Sequence, residues 1–215
     1  MSKRRSFSFR SNTAPMGDSQ ANPNGYVEEE DPGSMTEAGG IRVLGNRIFF
    51  YQMVERSAVL ELNVALRGLS ADLRKAAIDL SNEPAVIHLH IQSEGGDLFA
   101  GLAAADAIAS CGVPVHTHID GMAASAATLM SIMGTRRSIS PHSFMLVHQL
   151  RGDGGGTYEE MRQNLENSSL MMDTMRSLYG SRTKLAGDEL DAMLRRDTWL
   201  SAEQALGYGL VDEIA

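Results

Sequence analysis

The sequence predicts an α/β fold with a parallel sheet at its core, because short apolar runs alternate with longer segments of helical pattern. The runs typical of buried strands are Arg47–Gln52, Val86–Ile91, Val113–Ile119 and Ser143–Val147. Strands separated by helices at this spacing form βαβ repeats with right-handed crossovers. In such sheets ligands bind outside the carboxyl ends of the strands, so the residues after each strand are the first candidates for a site.

Length and composition bound the protein further. A chain of 215 residues with 43% hydrophobic residues is long enough for one globular domain with a sizeable core. No apolar run approaches about 18 residues, so no membrane association is expected, and the net charge of −8 argues against broad nucleic-acid binding. The single cysteine, Cys111, cannot form an internal disulfide and is expected to pack, which favours a reducing, cytoplasmic location.

The first 40 residues differ from the rest in composition. Residues 1–40 contain polar, acidic and glycine-rich stretches without a hydrophobic period, so we expect a flexible tail before a single domain at 41–215. The first seventeen residues carry four basic residues and no acid, as in a transit peptide, but they show no amphipathic repeat. We therefore favour a tail that is removed, or that becomes ordered on a partner.

Helices are expected between the strands from their apolar spacing and their end signals. The first has Leu60 and Val64 at helical spacing and ends before Pro84, and the next two are rich in alanine. A polar turn, Gly134–Ser138, is expected to follow the third helix. These three helices are predicted at Ser57–Ser81, Leu98–Ser110 and Ala126–Met133.

A long helix is predicted at Thr157–Tyr179. Thr157 and Glu160 form a capping-box pattern, apolar residues recur at three- and four-residue steps, and Gly180 is expected to stop the helix. Its length of about 35 Å exceeds what a core of this size requires, so we expect it to project onto a partner subunit. Packing on its own core stays the alternative. The remaining predicted elements are a helix at Leu185–Leu194, a link at Arg195–Trp199, a capped helix after Ser201 and a strand at Leu210–Ile214.

The stretch Gly121–Ala127 places a serine where a strand turns sharply into a helix. Ser125 follows the apolar run that ends at Ile119 and precedes a helix that begins at Ala126. A hydroxyl at such a turn lies clear of the backbone, next to the unpaired N–H groups of the helix N-terminus. This environment suits a nucleophile whose attack creates an oxyanion. A simple helix N-cap is the alternative that this stretch alone leaves open.

A serine nucleophile needs a base and a group that orients the base. His148 ends an apolar strand at the same sheet edge as Ser125, and Asp197 lies in a link just before the only tryptophan. For each residue taken singly, the alternatives are a structural histidine and a capping or solvated aspartate. The order Ser, His, Asp along the chain is compatible with a triad, because triads are defined by geometry.

Two other features could carry chemistry. His88 and His90 lie on one face of their strand, and so do His116 and His118, which makes a four-histidine metal site conceivable. No carboxylate or cysteine flanks these histidines at a convincing spacing. We interpret these histidines as structural and expect no metal or other cofactor. The segment Ser93–Asp97 has two adjacent glycines but carries acids and lacks a phosphate-loop pattern, so backbone N–H donation to an oxyanion is the better interpretation.

Four motifs in one order together resemble the family of Clp protease proteolytic subunits, also called caseinolytic protease P. They are Ser93–Gly96, Gly121–Ser125, Phe144–Gln149 and Arg196–Asp212. The similarity covers about residues 47–214, and the combination is specific although each motif alone is not. The resemblance implies the Clp/crotonase-like fold, with a parallel sheet, βαβ repeats and a projecting handle helix.

The resemblance also implies a Ser-His-Asp endopeptidase. Ser125 would be the nucleophile, His148 the base and Asp197 the orienting acid. The backbone N–H groups of Gly96 and Ala126 would form the oxyanion hole.

Substrates and partners follow from the same resemblance. The long helix would be the handle that joins two stacked seven-membered rings, and an AAA+ unfoldase that uses ATP would feed the enclosed chamber. Protein or peptide substrates would contact Gly95, Gln149, Leu150 and Arg151.

Departures from the family pattern keep other functions open. Glu94 stands where the family usually has proline, and the segment before the first strand does not resemble the family's axial-pore hairpin. A virus-encoded protease for capsid or scaffold maturation and a catalytically silent ring subunit are therefore alternatives. An acyl-CoA enzyme of the crotonase type shares the fold but would be expected to lack a reactive serine.

Overall fold

The computed structural model describes residues 40–80, 85–152 and 155–215, so the predicted flexible tail lies outside the described residues. From residue 47 to residue 139 strands and helices alternate, as the sequence predicts. The strands are β1 (Arg42–Leu44), β2 (Arg47–Phe50), β3 (Ile87–Ser93), β4 (Val115–Ala124), β5 (Arg136–Ile139), β6 (Phe144–Val147), β7 (Thr198–Leu200) and β8 (Glu213–Ile214). The helices are α1 (Arg56–Leu80), α2 (Leu98–Ala109), α3 (Ala126–Ser131), α4 (Tyr158–Arg182), α5 (Gly187–Leu194) and α6 (Ala202–Gly207).

The strands form one mixed sheet whose centre is parallel. Its order is β1-β2-β3-β4-β5-β8, and β6 and β7 extend it beyond β4. Among the described strands, the pairs β1–β2 and β6–β7 are antiparallel and the other pairs are parallel. The βαβ repeats and the parallel core predicted from the sequence are therefore present in the described chain.

Strand β4, the longest of the described strands, pairs with one neighbour along its first half and with another along its second half. Residues 116–119 pair with β5, and residues 122–124 pair with β6. Gly121, with a φ of 78°, lies between the two stretches. This change of neighbour lets β4 continue to Ala124, so that Ser125 follows directly on a paired strand.

Alternation along the central strands separates a core face from an outer face. Ile87, Leu89 and Ile91 of β3 are fully buried, whereas His88 and His90 between them are only half-buried. The alanine-rich helix α2 packs between α1 and α3 over the buried face, because its small side chains allow close approach. The hydrophobic core lies in this layer between the sheet and the helices.

Helix α1 does not bury the face that carries Leu60 and Val64, the residues on which its prediction depended. Leu60 and Val64 are each 64% exposed, whereas Val59, Leu62 and Leu66 are buried. The helix carries two apolar stripes, and the sheet covers only one of them.

Helix α4 projects, as its length predicts. Residues 158–167 are exposed on every face, and only Met175 and Tyr179 of this helix are buried. The predicted capping box of Thr157 and Glu160 is present. Gly180 does not stop the helix: it is not among the residues of positive φ, and the helix continues to Arg182.

Two strands lie where the sequence pattern indicates a turn and a link. The segment Gly134–Ser138 is not a turn alone, because β5 begins at Arg136 and fills the free edge of β4. Arg137 is stabilised there by Asp212 and by the carbonyls of Arg182 and Gly209. Likewise β7 forms at the end of the predicted link, because β6 offers it an antiparallel partner.

Candidate active site

Ser125 lies at a sharp elbow between β4 and α3. Its φ of 54° and ψ of −125° make it the only non-glycine residue of positive φ in the described chain. Its N–H donates to the Leu146 carbonyl at 2.8 Å, and its own carbonyl accepts from the Thr128 N–H at 3.0 Å. The side chain makes no capping hydrogen bond, so the N-cap alternative is wrong and the hydroxyl is left available.

A buried hydroxyl chain holds this elbow from behind. The Thr128 hydroxyl donates to the Ser125 carbonyl at 2.6 Å and lies 2.5 Å from the Tyr179 hydroxyl. Because Thr128 has a single hydroxyl hydrogen, Tyr179 is the donor in the second bond. Burial raises the pKa of Tyr179 to about 12, so its hydroxyl keeps its proton. The chain connects the C-terminal turn of α4 to the backbone of Ser125.

The two adjacent glycines have different positions relative to the elbow. Gly95 is buried directly behind it: a Cβ at Gly95 would lie 2.5 Å from the Ala124 carbonyl oxygen and 2.7 Å from Ser125 Cβ. Gly96 lies beside Val54, whose N–H and carbonyl bond to the residues on either side of it. The N–H of Gly96 therefore points away from Val54.

Pairing of β6 with β7 brings a histidine and an aspartate together. In this antiparallel pair Val147 lies opposite Thr198, so one further step of the register places His148 opposite Asp197. The Gln149 N–H donates to the Leu194 carbonyl at 2.7 Å just beyond them. The two backbones are thus fixed on both sides of this residue pair.

The side chains of this pair do not form a hydrogen bond. His148 Nδ1 lies 4.0 Å from Asp197 Oδ1, and it has no hydrogen-bond partner among the described residues although it is buried. The other carboxylate oxygen, Oδ2, pairs with the Arg151 guanidinium. Asp197 therefore lies between a histidine and an arginine, and its contact is with the arginine.

A cleft of 480 Å³ is lined by Ser125 at the elbow and by His148, whereas Asp197 is not among its lining residues. Leu129, Leu150 and Met175 contribute to an apolar wall, and Arg151 is the one cation among the lining residues of the described chain. Gly95, a predicted substrate contact, lies behind the elbow and does not line the cleft. The predicted site residues that do line it are Gly96, Ser125, Ala126, His148, Gln149, Leu150 and Arg151.

The remaining sequence candidates, the paired histidines, bond to each other and to their neighbours on the outer sheet face. His88 Nδ1 lies 2.9 Å from His118 Nε2, and the two rings stack. Burial, with the neighbouring histidines His90 and His88, lowers the pKa of His118 to about 4. Burial and His116 also lower the pKa of His88. His88 and His118 are therefore neutral at pH 7.

Asp120 and Tyr51 close one end of this histidine array. Asp120 Oδ2 accepts from the Tyr51 hydroxyl at 2.6 Å and lies 2.8 Å from His90 Nδ1. Although burial acts against it, these two hydrogen bonds lower the pKa of Asp120, while burial and Asp120 raise the pKa of Tyr51 to about 12. Among the described residues no three His, Cys, Asp or Glu side chains are placed to hold a metal ion.

Fold and cleft together define a class of protein. A strained serine elbow at the end of a parallel strand, beside a histidine at the same sheet edge, is the arrangement of an α/β serine hydrolase. A family model described as Clp protease matches residues 65–215. The chain belongs to the Clp protease family, a family of serine peptidases.

Individual relatives agree with this family. The chain is 33% identical to ATP-dependent Clp protease proteolytic subunit 2 of Cutibacterium acnes over 83% of this chain and 85% of the relative. It is 31% identical to the ATP-dependent Clp protease proteolytic subunit of Streptococcus gordonii, over 64% of this chain and 72% of the relative. A solved ClpP1 mutant from Listeria monocytogenes has the same fold, with a TM-score of 0.68 and 22% identity over 80% of this chain and 91% of that one. The family resemblance and the fold class predicted from the sequence are confirmed.

Sequence reasoning missed the residues that support the elbow. Thr128 lies three residues after Ser125, a spacing that brings its hydroxyl back to the Ser125 carbonyl in a first helical turn. The sequence pattern identifies Tyr179 only as an apolar residue near the end of the long helix, without indicating its contact with Thr128. No local pattern connects these two residues, because they are 51 positions apart.

Proposed function

We propose that the chain is the proteolytic subunit of a self-compartmentalised serine endopeptidase, with Ser125, His148 and Asp197 as its triad. The observation that carries the proposal is the strained elbow at Ser125 in the same cleft as His148, whose antiparallel register faces Asp197. Ser125 and His148 follow the carboxyl ends of two parallel strands, as the topology of a parallel sheet favours, and Asp197 precedes a strand that pairs antiparallel with the second of them.

Peptide-bond cleavage by these residues proceeds in two stages. Ser125 Oγ attacks the scissile carbonyl carbon while His148 Nε2 takes its proton, and the Gly96 and Ala126 N–H groups stabilise the oxyanion. His148 then returns that proton to the leaving amine as the C–N bond breaks. In the second stage His148 takes a proton from a water molecule, whose oxygen attacks the acyl carbon. His148 then returns this proton to Ser125 Oγ as the acyl C–O bond breaks and the carboxylic acid product leaves. Asp197 accepts from His148 Nδ1–H and stabilises the imidazolium that forms in each stage.

Helix α4 supports an assembly of rings. Its exposed half carries large apolar side chains with little of the protomer's own surface to cover them. They are Tyr158 (74% exposed), Met161 (48%), Leu165 (69%) and Leu170 (69%). In the proposed particle these residues pack between two stacked heptamers, and the cleft opens into the enclosed chamber.

Partners and location follow from the relatives. Since the relatives are named as subunits of ATP-dependent Clp proteases, the proposed particle works with an AAA+ unfoldase on protein or peptide substrates. Those names favour general proteolysis over a dedicated capsid-maturation role. None of the described helices is both long and apolar enough to cross a bilayer. The cytoplasmic location stays a prediction.

Substitution of the nucleophile tests the proposal. Ser125→Ala is expected to lower the turnover of a short fluorogenic peptide by about 10⁴-fold or more, and to abolish labelling by a fluorophosphonate. Native mass spectrometry should give the same number of copies per particle for the variant and the wild type. Ser110→Ala, which alters an exposed serine at the end of α2, is the matched control and should keep full activity.

Two results would contradict the proposal. Turnover retained by Ser125→Ala would exclude Ser125 as the nucleophile. An assembled wild-type particle with no fluorophosphonate adduct and no peptidase activity would favour the silent ring subunit instead.

A further inference from the structure

Arg151 binds the carboxylate that the proposed mechanism requires at His148. We infer that Arg151 is a latch: in the resting protomer it holds Asp197 away from His148, and its displacement completes the triad. The inference rests on the proposed function, since it concerns the reactivity of the same serine. It assigns Arg151 a positioning role that acts through Asp197 rather than direct contact with the reacting atoms.

The backbone needs no change for the latch to open. The β6–β7 register already places His148 opposite Asp197, and the bond from the Gln149 N–H to the Leu194 carbonyl fixes the following turn. Asp197 Oδ1 is 4.0 Å from His148 Nδ1, about 1 Å beyond a hydrogen bond. Rotation of the Asp197 side chain away from Arg151 is enough to close this gap.

Two opposing contacts compete for the carboxylate. The ion pair with Arg151 is exposed, with side chains 68% and 53% accessible, and exposed pairs are weak because water screens them. The His148 side chain is only 11% accessible, and its Nδ1 lacks a partner among the described residues. A buried polar nitrogen without a partner is unfavourable, so the arrangement with His148 bonded is close in free energy to the one seen here. A contact balanced in this way is easily switched.

Substrate is the agent that opens the latch. Gln149, Leu150 and Arg151 line the cleft beside Ser125, so a peptide in the cleft lies across the exposed guanidinium. Carbonyl groups of that peptide offer Arg151 new acceptors. Asp197 is then free to turn to His148, and the triad is complete only when a peptide is present.

Neutral and charged substitutions at Arg151 test the latch on the assembled particle. Arg151→Ala and Arg151→Gln are expected to raise the rate at which a fluorophosphonate labels Ser125 in the absence of peptide by about two- to five-fold, the range of an exposed ion pair. The kcat for a short uncharged peptide should change little, because bound peptide already opens the latch. KM should change little. Arg151→Lys keeps a cation within reach of Asp197 and should restore a rate near that of the wild type. Arg136→Ala, which removes an exposed ion-paired arginine on β5, is the matched control and should change neither rate.

A double-mutant cycle separates the latch from the other roles open to Arg151. In an Asp197→Asn background, Arg151→Ala should give no acceleration, because no carboxylate remains to be released. Slower labelling by Arg151→Ala in the wild-type background would mean that Arg151 supports the triad, and a change confined to KM would mean a simple substrate contact. Either result overturns the latch.

Failure of the triad is distinguishable from failure of the latch. If Asp197→Asn keeps the wild-type kcat for the peptide, the proposed triad is wrong, and the latch is wrong with it. If Asp197→Asn loses peptide turnover while Arg151→Ala labels like the wild type, the latch alone is wrong.

Discussion

Substitution of Gly95 by alanine is the sharpest test of how the elbow is supported. Gly95 has a φ of 91°, a region in which an L side chain is strained, and it is buried behind Ser125. An added Cβ would lie 2.5 Å from the Ala124 carbonyl oxygen, 2.7 Å from Ser125 Cβ and 3.0 Å from the Ala126 nitrogen. All three atoms belong to the turn that presents the proposed nucleophile.

The expected magnitude follows from these distances. Positive φ costs an alanine about 1–2 kcal/mol, and overpacking adds about 1–3 kcal/mol. Relief of the 2.5 Å contact to ordinary van der Waals separation requires the elbow to move by about 1 Å, a displacement that lowers reaction rates by about 100-fold. We therefore expect Gly95→Ala to lose about 2–5 kcal/mol in free energy of unfolding and about 100-fold in kcat/KM.

Gly45→Ala is the matched control for this measurement. Gly45 also has a positive φ, 60°, but nothing lies within 4 Å of the Cβ that would be added. It should lose only the backbone contribution of about 1–2 kcal/mol in denaturant unfolding and keep the wild-type kcat/KM. Equal losses of activity in the two variants, or a fully active Gly95→Ala, would refute the proposed packing of Gly95 against the elbow.

Two further predictions concern the outer histidine array and the buried hydroxyl chain. Because the pKa of His118 is about 4 when folded and about 6.5 when unfolded, the unfolded chain binds more protons between these values, and stability should fall as pH drops from 6.5 to 4. Because water screens the half-exposed ring, this loss should be limited to about 1–2 kcal/mol. Urea unfolding at a series of pH values measures it. The loss should disappear in His118→Phe and remain in His142→Asn, which lies outside the array. Tyr179→Phe removes one buried hydrogen bond and is expected to lower the free energy of unfolding by about 1 kcal/mol and the fluorophosphonate labelling rate by a few-fold. An unchanged labelling rate would mean that α4 does not support the elbow.

The parallel core could be predicted because its strands are apolar in their own right. Val86–Ile91 and Val113–Ile119 bury one side of each strand, and that pattern is present in the sequence without any partner. Strands β5 and β7 could not be predicted in this way. The Arg-Arg pair that opens β5 has no strand pattern, and it is extended because β4 offers a free edge and Asp212 binds Arg137.

The faces of the helices were harder to predict than their positions. Leu60 and Val64 satisfy helical spacing as well as Leu62 and Leu66 do, and only contact with the sheet distinguishes the two stripes. The exposed stripe agrees with a protein that works as an assembly. One protomer's sequence does not state which of two apolar faces belongs to the partner.

The candidate site also combines backbone features with one side-chain contact, and this difference explains which of its parts can be switched. The elbow at Ser125 and the register that faces His148 with Asp197 are backbone features, fixed by strand pairing and by bonds to Leu146 and Thr128. The strands that lead to Ser125 and His148 have a local sequence pattern, so the positions of these two residues could be anticipated. Strand β7 has no such pattern, so the role expected of Asp197 depended on the family resemblance. The direction of the Asp197 carboxylate is a side-chain choice between two partners, and one of them, exposed Arg151, is held weakly. A protease that must stay inactive until a peptide enters gains from leaving only this last rotation open, because a rotation of one side chain needs no rearrangement of the fold.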